Sequence, residues 1–128
     1  MGRGGHVLRS AGRGENLRDF TELKVWQKAH NLALDIYRQT REFPADESFG
    51  LTAHLRKTAT SIGSNIAEGC GRNSEQELAR FFSIAAGSAS EAEYQLRLAR
   101  DLEYLSQQAH QHLDAQVNEV KKMLNSFI

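Results

Sequence analysis

The histidines are the first residues to test for chemistry, because imidazoles and carboxylates at helical spacing can bind metal ions. His110 and His112 are two residues apart and would point to different sides of a helix, while His110 and Asp114 form a single i, i+4 pair. A ferritin-like metal site in a helical bundle needs two Glu-x-x-His motifs and further inward glutamates, and the sequence has no Glu-x-x-His motif. We therefore predict no metal site and interpret these histidines as solvated.

The residue pattern also gives no support for nucleophilic catalysis or phosphate binding. No serine or cysteine can be grouped with a base and an orienting residue, and His30 and His54 are interpreted as surface or boundary residues. Cys70 lies near a predicted helix C-terminus, which raises a thiol pKa, so we interpret it as inert packing. Gly69 and Gly71 lack the lysine of a phosphate loop. We expect no catalytic residues and no cofactor.

The stretch from Ser61 to Gly69, SIGSNIAEG, is the most informative motif. On a helix its two isoleucines lie one turn apart with small polar side chains beside them, which indicates packing rather than catalysis. Glycine can adopt the left-handed conformation that ends a helix, so we expect Gly69 and Gly71 to end this one. The motif residues are Ser61, Ile62, Asn65, Ile66, Glu68 and Gly69.

Two polar residues of this motif carry more specific hypotheses. Glu68 opposes the negative end of the helix dipole, so it either pairs with Arg80 across a helical hairpin or stays solvated. Asn65 either is a buried amide that selects one register or one oligomer, or makes an ordinary helix–helix hydrogen bond. The sequence leaves both choices open.

The composition indicates one reduced, cytoplasmic domain. The chain has 128 residues, one cysteine and no apolar run near the roughly 18 residues of a membrane span. Residues 1 to 18 carry four arginines against Glu15, net +3, which leaves 12 bases and 15 acids, net −3, for residues 19 to 128. We predict a disordered basic Gly/Arg-rich tail at 1 to 18, which either binds RNA loosely or is a mere leader, and one folded domain at 19 to 128.

Four amphipathic segments predict four helices. The first runs from about Glu22 to Arg41, and the second from about Ser48 to Cys70, with Ser48 as its N-cap and Pro44 between the two. Ser74, with a glutamate three residues later, forms a capping box that starts the third helix, and the fourth starts near Ser106.

Apolar residues at spacings of three and four give each helix an inner face. We expect the small residues Gly63 and Ser64 to face the small-residue stretch Ala85 to Ser90. These patterns predict an all-α, antiparallel, up-down-up-down four-helix bundle. The inner residues, in helix order, are Leu23, Trp26, Ala29 or Ala33, Ile36 and Tyr37; Leu51, Leu55, Ala59, Ile62 and Ile66; Leu78, Phe82, Ala85, Ala89, Ala92, Leu96 and Ala99; Leu113, Val117, Val120, Leu124 and Phe127.

An ordered series of short motifs resembles a known family. The motifs are LKVW at Leu23 to Trp26, Tyr37, FP at Phe43 and Pro44, GL at Gly50 and Leu51, the basic pair Arg56 and Lys57, SIGSNIAEG, RFFSIAAGSASE at Arg80 to Glu91, and YLS at Tyr104 to Ser106. From about Asp19 to Leu124 the chain resembles the bacterial four-helix-bundle proteins first described from reading frames inside intervening sequences of the large-subunit ribosomal RNA gene. It departs from them at Gly63, where relatives often carry proline, and at Lys57, where many carry arginine.

This resemblance implies assembly, because members of the family look like homopentamers of side-by-side bundles. Relatives include accessory variability determinant proteins of retroelements, which look like basic pentameric barrels that bind nucleic acid and a reverse transcriptase. The resemblance implies that Arg56, Lys57, Arg72 and Arg80 are the positions to test for phosphate contact. The net charge of −3 on residues 19 to 128 argues against strong binding to a polyanion.

We therefore expect a non-enzymatic, cytoplasmic homopentamer that acts as a binding or scaffold protein, with DNA, RNA or a nucleic-acid enzyme as candidate partner. The alternative is a structural homo-oligomer that binds a protein partner and no nucleic acid. Apolar residues predicted outside the seams support an interface. They are Val25, Leu32, Leu34, Phe81 and Leu98.

Overall fold

The computed structural model describes residues 19–128, and the predicted tail at residues 1 to 18 lies outside this range. Helices occupy most of the described chain and are joined by short turns; the 3-10 helix Phe20–Glu22 precedes the first long helix, and the 3-10 helix Ala45–Glu47 lies between the first and the second. The four long helices are α1 (Lys24–Thr40), α2 (Leu51–Cys70), α3 (Glu75–Asp101) and α4 (Gln107–Asn125). None of the described helices is long and apolar enough to cross a membrane.

The helices form a closed, antiparallel four-helix bundle. Each helix packs against its neighbour in sequence, most extensively α2 against α3, and α1 also packs against α4. Short connections force consecutive helices to run in opposite directions. The predicted all-α bundle is confirmed.

The predicted seams of α2, α3 and α4 form the core. Every seam residue predicted for these three helices is buried, as are Leu23, Ala29, Ala33 and Ile36 of the first helical segment. In α3 the middle of the seam is alanine, and near its start Phe82 packs edge-on against Phe127, with ring centroids 4.9 Å apart. The spacing of three and four residues was therefore sufficient to identify the core side of α2, α3 and α4.

Hydrogen bonds at the helix starts confirm one predicted cap and correct another. Ser74 Oγ accepts from the backbone N–H of Glu77 at 3.1 Å, as the capping box predicts. The Ser48 prediction is wrong, because α2 begins at Leu51 and the Leu51 backbone N–H donates to Glu47 Oε1 at 3.0 Å. Glu47 Oε2 also accepts from the hydroxyl of Tyr104 at 2.9 Å, so one carboxylate links two turns.

Several residues at the edges of the predicted seams lie elsewhere than expected. Val25 and Leu32, predicted on the outside, are buried because α1 contacts both α2 and α4 and therefore needs a wide apolar face. Tyr37, predicted inside, is 40% exposed, and His110, predicted to be solvated, is only 6% exposed. The side chain of Leu34 is exposed as predicted.

Candidate functional site

An open apolar groove runs along the seam between α1 and α2. Trp26 stacks on His30 with parallel rings 4.9 Å apart, and Phe20 meets Trp26 edge-on at 5.0 Å. The opposite wall, from α2, consists of small side chains, and the groove encloses about 310 Å³. The lining residues are Phe20, Trp26, Ala29, His30, Ala33, Ala59, Thr60, Gly63, Ser64 and Ala67.

Gly63 and Gly69 of the SIGSNIAEG motif serve packing, whereas Gly71 is the C-cap residue at which α2 ends, as predicted. A Cβ on Gly63 would lie 3.4 Å from Trp26 Nε1, so Gly63 faces α1 and the groove, and the expectation that it faces α3 is wrong. A Cβ on Gly69 would lie 3.1 Å from Phe81 Cβ and 3.2 Å from the Phe82 ring. Gly69 is inside α2, and Gly71 after it has a right-handed φ of −83°, so neither ends the helix in the left-handed conformation.

The other motif residues face α3 or the core. Ile62 and Ile66 are fully buried, and Ser61 Oγ donates to Ser88 Oγ of α3 at 2.7 Å. Asn65 is half-buried, and its side-chain N–H donates to the Ser61 carbonyl of the same helix at 2.8 Å. Within residues 19–128, Asn65 is therefore neither the buried interhelical amide of the register hypothesis nor the donor of a helix–helix hydrogen bond.

The acidic and basic residues of the α2–α3 turn pair locally. Glu68 binds Arg72 at 3.0 Å, and Glu77 binds Arg80 through two hydrogen bonds of 3.1 Å. The Glu68–Arg80 pair is therefore wrong, because each carboxylate has an arginine within one turn of its own position. Hydrogen bonding to Arg80 lowers the pKa of Glu77.

Arg72 and Arg80 also meet on the half-buried ring of Phe81. Their guanidinium carbons lie 4.9 and 4.5 Å from the ring centroid. The two cations thus share one aromatic ring while each keeps a carboxylate partner. The cluster is charge-balanced, which weakens its attraction for a phosphate.

Arg56 connects α2 to the end of α1. Its Nε donates to Thr40 Oγ1 at 2.8 Å, one terminal N–H donates to the Tyr37 carbonyl at 3.2 Å, and its guanidinium lies 4.6 Å from the Tyr37 ring centroid. Basic side chains commonly satisfy the free carbonyls of a helix C-terminus. This geometry also explains why Tyr37 stays at the surface, where its ring supports Arg56.

The four basic residues predicted to contact phosphate do not converge on one site. Arg56 and Lys57 lie in the first half of α2, whereas Arg72 and Arg80 surround the turn after it. A helix rises about 1.5 Å per residue, so roughly 20 Å of α2 separates Arg56 from the helix end that precedes Arg72. Lys57 is exposed and lines a different cleft, between α2 and α3.

That second cleft is polar and has a volume of about 380 Å³. Gln95 is 8% exposed, and its Oε1 is buried with no hydrogen-bond partner in the described part of the chain. Gln95 directly precedes the seam residue Leu96 and so borders the seam, which is a weak sequence signal for its burial. The lining residues are His54, Lys57, Thr58, Ser61, Glu91 and Gln95.

Metal and thiol chemistry receive no support from the described residues. No group of three or more histidine, cysteine or carboxylate side chains in residues 19–128 could hold a metal ion. Cys70 is buried, and this burial, with a smaller effect from the Asp19 carboxylate, raises the pKa of its thiol to about 11. A thiol with so high a pKa is a poor nucleophile at neutral pH.

The order and packing of the helices define an antiparallel four-helix-bundle protein. The chain belongs to the 23S rRNA-intervening sequence protein family, whose model matches residues 21–126. It is similar to a solved protein of unknown function from the S23 ribosomal protein family of Bacteroides thetaiotaomicron VPI-5482. The two share 26% sequence identity with a TM-score of 0.74, over 80% of this chain and 92% of the other. No curated protein matches the chain.

Proposed function

We propose that the protein is a non-enzymatic, self-associating binding protein whose subunits meet through the α1–α2 groove. The observation that supports this most is the partly exposed Trp26 ring, stacked on His30 and facing the small residues of α2. The aromatic ring provides apolar area that a second subunit can cover, and the small side chains beside it let that subunit approach closely, as at protein interfaces. The resemblance to homopentameric bundles supports five subunits.

Light scattering coupled to size exclusion tests this assembly. Ser64 is exposed in the groove, and Ser90 is exposed on α3 outside it, so arginine at each gives a matched pair. We expect Ser64→Arg to shift the particle to a monomer, because a long charged side chain would fill the interface. Ser90→Arg should keep the wild-type mass. A monomeric wild type would refute self-association, and an unchanged Ser64→Arg oligomer would refute the groove as the interface.

Nucleic acid is a second candidate partner, supported by the two guanidinium groups on Phe81. Nucleobases stack on aromatic rings and on guanidinium planes, so this cluster offers a surface for a single strand. If each arginine contacts a phosphate, Arg72→Gln with Arg80→Gln should weaken binding of a short RNA and reduce the salt slope by about one per lost contact. Arg38→Gln is the control, since Arg38 is also exposed and paired with a carboxylate.

The alternative is a scaffold that binds a protein and no nucleic acid. Oligomeric wild-type protein that ignores duplex DNA and RNA at low salt would favour this alternative. Binding that the Arg72 and Arg80 substitutions leave unchanged would place any nucleic-acid contact elsewhere on the chain.

A further inference from the structure

The α1–α2 groove contains one histidine among otherwise uncharged side chains. Of the described residues that line the groove, His30 is the only one that can gain or lose a proton near neutral pH. The wall from α2 carries the hydroxyl groups of Thr60 and Ser64 and no charge. An imidazolium group at His30 would therefore have no counter-ion in the lining.

The charged side chains of the elements around the groove bind elsewhere. On α1, Lys28 pairs with Glu119 of α4 at 3.2 Å. On α2, Arg56 is hydrogen-bonded to the last turn of α1, about two helical turns beyond His30. Before α1, the Asp19 carboxylate caps the 3-10 helix to which Phe20 belongs. No neighbouring carboxylate in the described chain is thus placed to compensate a charge on His30.

The imidazole ring of His30 is exposed to water in the single subunit. One ring face stacks on Trp26, with centroids 4.9 Å apart and ring planes 8° apart. A protonated ring keeps this contact, because a cation is attracted to the face of an indole. Protonation is therefore compatible with the free subunit, where water solvates the rest of the ring.

Assembly through the groove changes this balance, because a second subunit that covers Trp26 also covers His30. A charged group that loses its water without gaining a counter-ion or a hydrogen bond is strongly disfavoured, whereas a neutral imidazole loses much less. The assembled state should therefore bind fewer protons at this position than the free subunit does. By linkage, association then weakens as the proton concentration rises.

We propose that protonation of His30 regulates self-association, so that subunits assemble at neutral and alkaline pH and separate as the pH falls below about 6.5. This inference rests on the proposed assembly through the α1–α2 groove and adds a control to it. It applies to any number of subunits, since each contact through the groove covers one such ring.

Sedimentation equilibrium of the full chain at pH 7.5 and pH 5.5, at one ionic strength, tests the proposal. The variant is His30→Gln, which cannot titrate. His54→Gln is the matched control, because His54 is also exposed on a helix but lines the α2–α3 cleft and not the groove. Circular dichroism at both pH values establishes that each protein is folded.

We expect the dissociation constant per contact of the wild type to rise about tenfold between pH 7.5 and pH 5.5. A histidine that titrates near pH 6.5 in the free subunit and stays neutral in the assembly gives this factor. His54→Gln should show the same rise. His30→Gln should associate with nearly equal affinity at the two pH values.

The possible failures separate the regulation from the assembly itself. A wild type that assembles equally well at both pH values overturns the regulation and leaves the groove interface standing, as does a His30→Gln variant that keeps the tenfold rise. Stronger association at pH 5.5 would place a carboxylate of the second subunit opposite His30 and also overturns it. A wild type that is monomeric at pH 7.5 overturns the self-association and this inference together.

Discussion

Arg56 of α2 donates from Nε to Thr40 Oγ1, at the last residue of α1, over 2.8 Å. Thr40 in turn donates to the Ile36 carbonyl at 2.8 Å, so the arginine extends a chain of hydrogen bonds into the final turn of α1. The residue therefore has a clear structural role, whether or not it also contacts a partner.

Arg56→Met should lower the free energy of unfolding by about 1–3 kcal/mol, because Thr40 and the Tyr37 carbonyl both lose a charged donor. Urea denaturation measures the change. Lys57→Met is the matched control and should stay within about 0.5 kcal/mol, since Lys57 is exposed and has no ion pair among the described residues. Equal losses for both variants would contradict a specific role for Arg56.

Two helical glycines should respond in opposite directions to alanine. Gly69→Ala puts a methyl group 3.1 Å from Phe81 Cβ and should destabilise the fold by about 1–3 kcal/mol. This overpacking outweighs the stability that alanine gains over glycine through its higher helix propensity. Gly87→Ala meets nothing within 4 Å in the described chain and should stabilise it by about 0.5–1 kcal/mol. Thermal and urea unfolding measure both, and a stabilising Gly69→Ala would show that α2 and α3 separate easily there.

Glu47 should make the stability of the bundle sensitive to acid. The backbone N–H of Leu51, and next the hydroxyl of Tyr104, hold the pKa of Glu47 below its ordinary value of 4.5. Its stabilising contribution is therefore complete above pH 4.5 and is lost as pH falls through the lowered folded-state pKa.

Melting temperatures of wild type and Glu47→Gln across that pH range test this expectation. The amide keeps an oxygen acceptor and cannot titrate, so the gap between the two proteins should narrow as pH falls below 4.5. Glu77 and Glu93, whose pKa values are also lowered, are present in both proteins and cancel in the difference. A gap that is constant with pH would show that Glu47 titrates normally.

Cys70 should react slowly with thiol reagents in the native state. Its thiol is buried, and its pKa of about 11 leaves little thiolate at mildly alkaline pH. We expect reaction with a disulfide reagent to be about 100-fold slower or more in native buffer than in denaturant. Comparable rates in the two solutions would mean that the end of α2 opens frequently.

The seams of the bundle were predictable because their information is local. Leu78, Phe82 and Ala85 follow one another at spacings of four and three along one helix, and this spacing alone assigns them to one side. By contrast, the burial of a side chain next to the seam depends on which other helices pack against that side of its helix. Val25 is buried because α1 also contacts α4, and the sequence of α1 does not contain that fact.

The candidate sites were harder to predict for the same reason. The family resemblance identified Arg56 as a position to test for phosphate contact. It did not indicate the hydrogen bond from Arg56 to Thr40, sixteen residues earlier in the chain. Gln95 and Lys57 come from different helices, and only the packing of α2 on α3 brings them to one cleft. One of the two hypotheses for Glu68 paired it with Arg80, yet each of these residues has a partner nearer in sequence.

The hydrogen bond from Tyr104 to Glu47 joins residues 57 positions apart and connects the turns before α2 and α4. Loop-closure entropy makes so distant a contact unfavourable until the intervening helices have docked. The bond therefore belongs to a late stage of folding. In stopped-flow unfolding and refolding, Tyr104→Phe should chiefly accelerate unfolding and leave the refolding rate almost unchanged, so this contact lengthens the lifetime of each folded molecule.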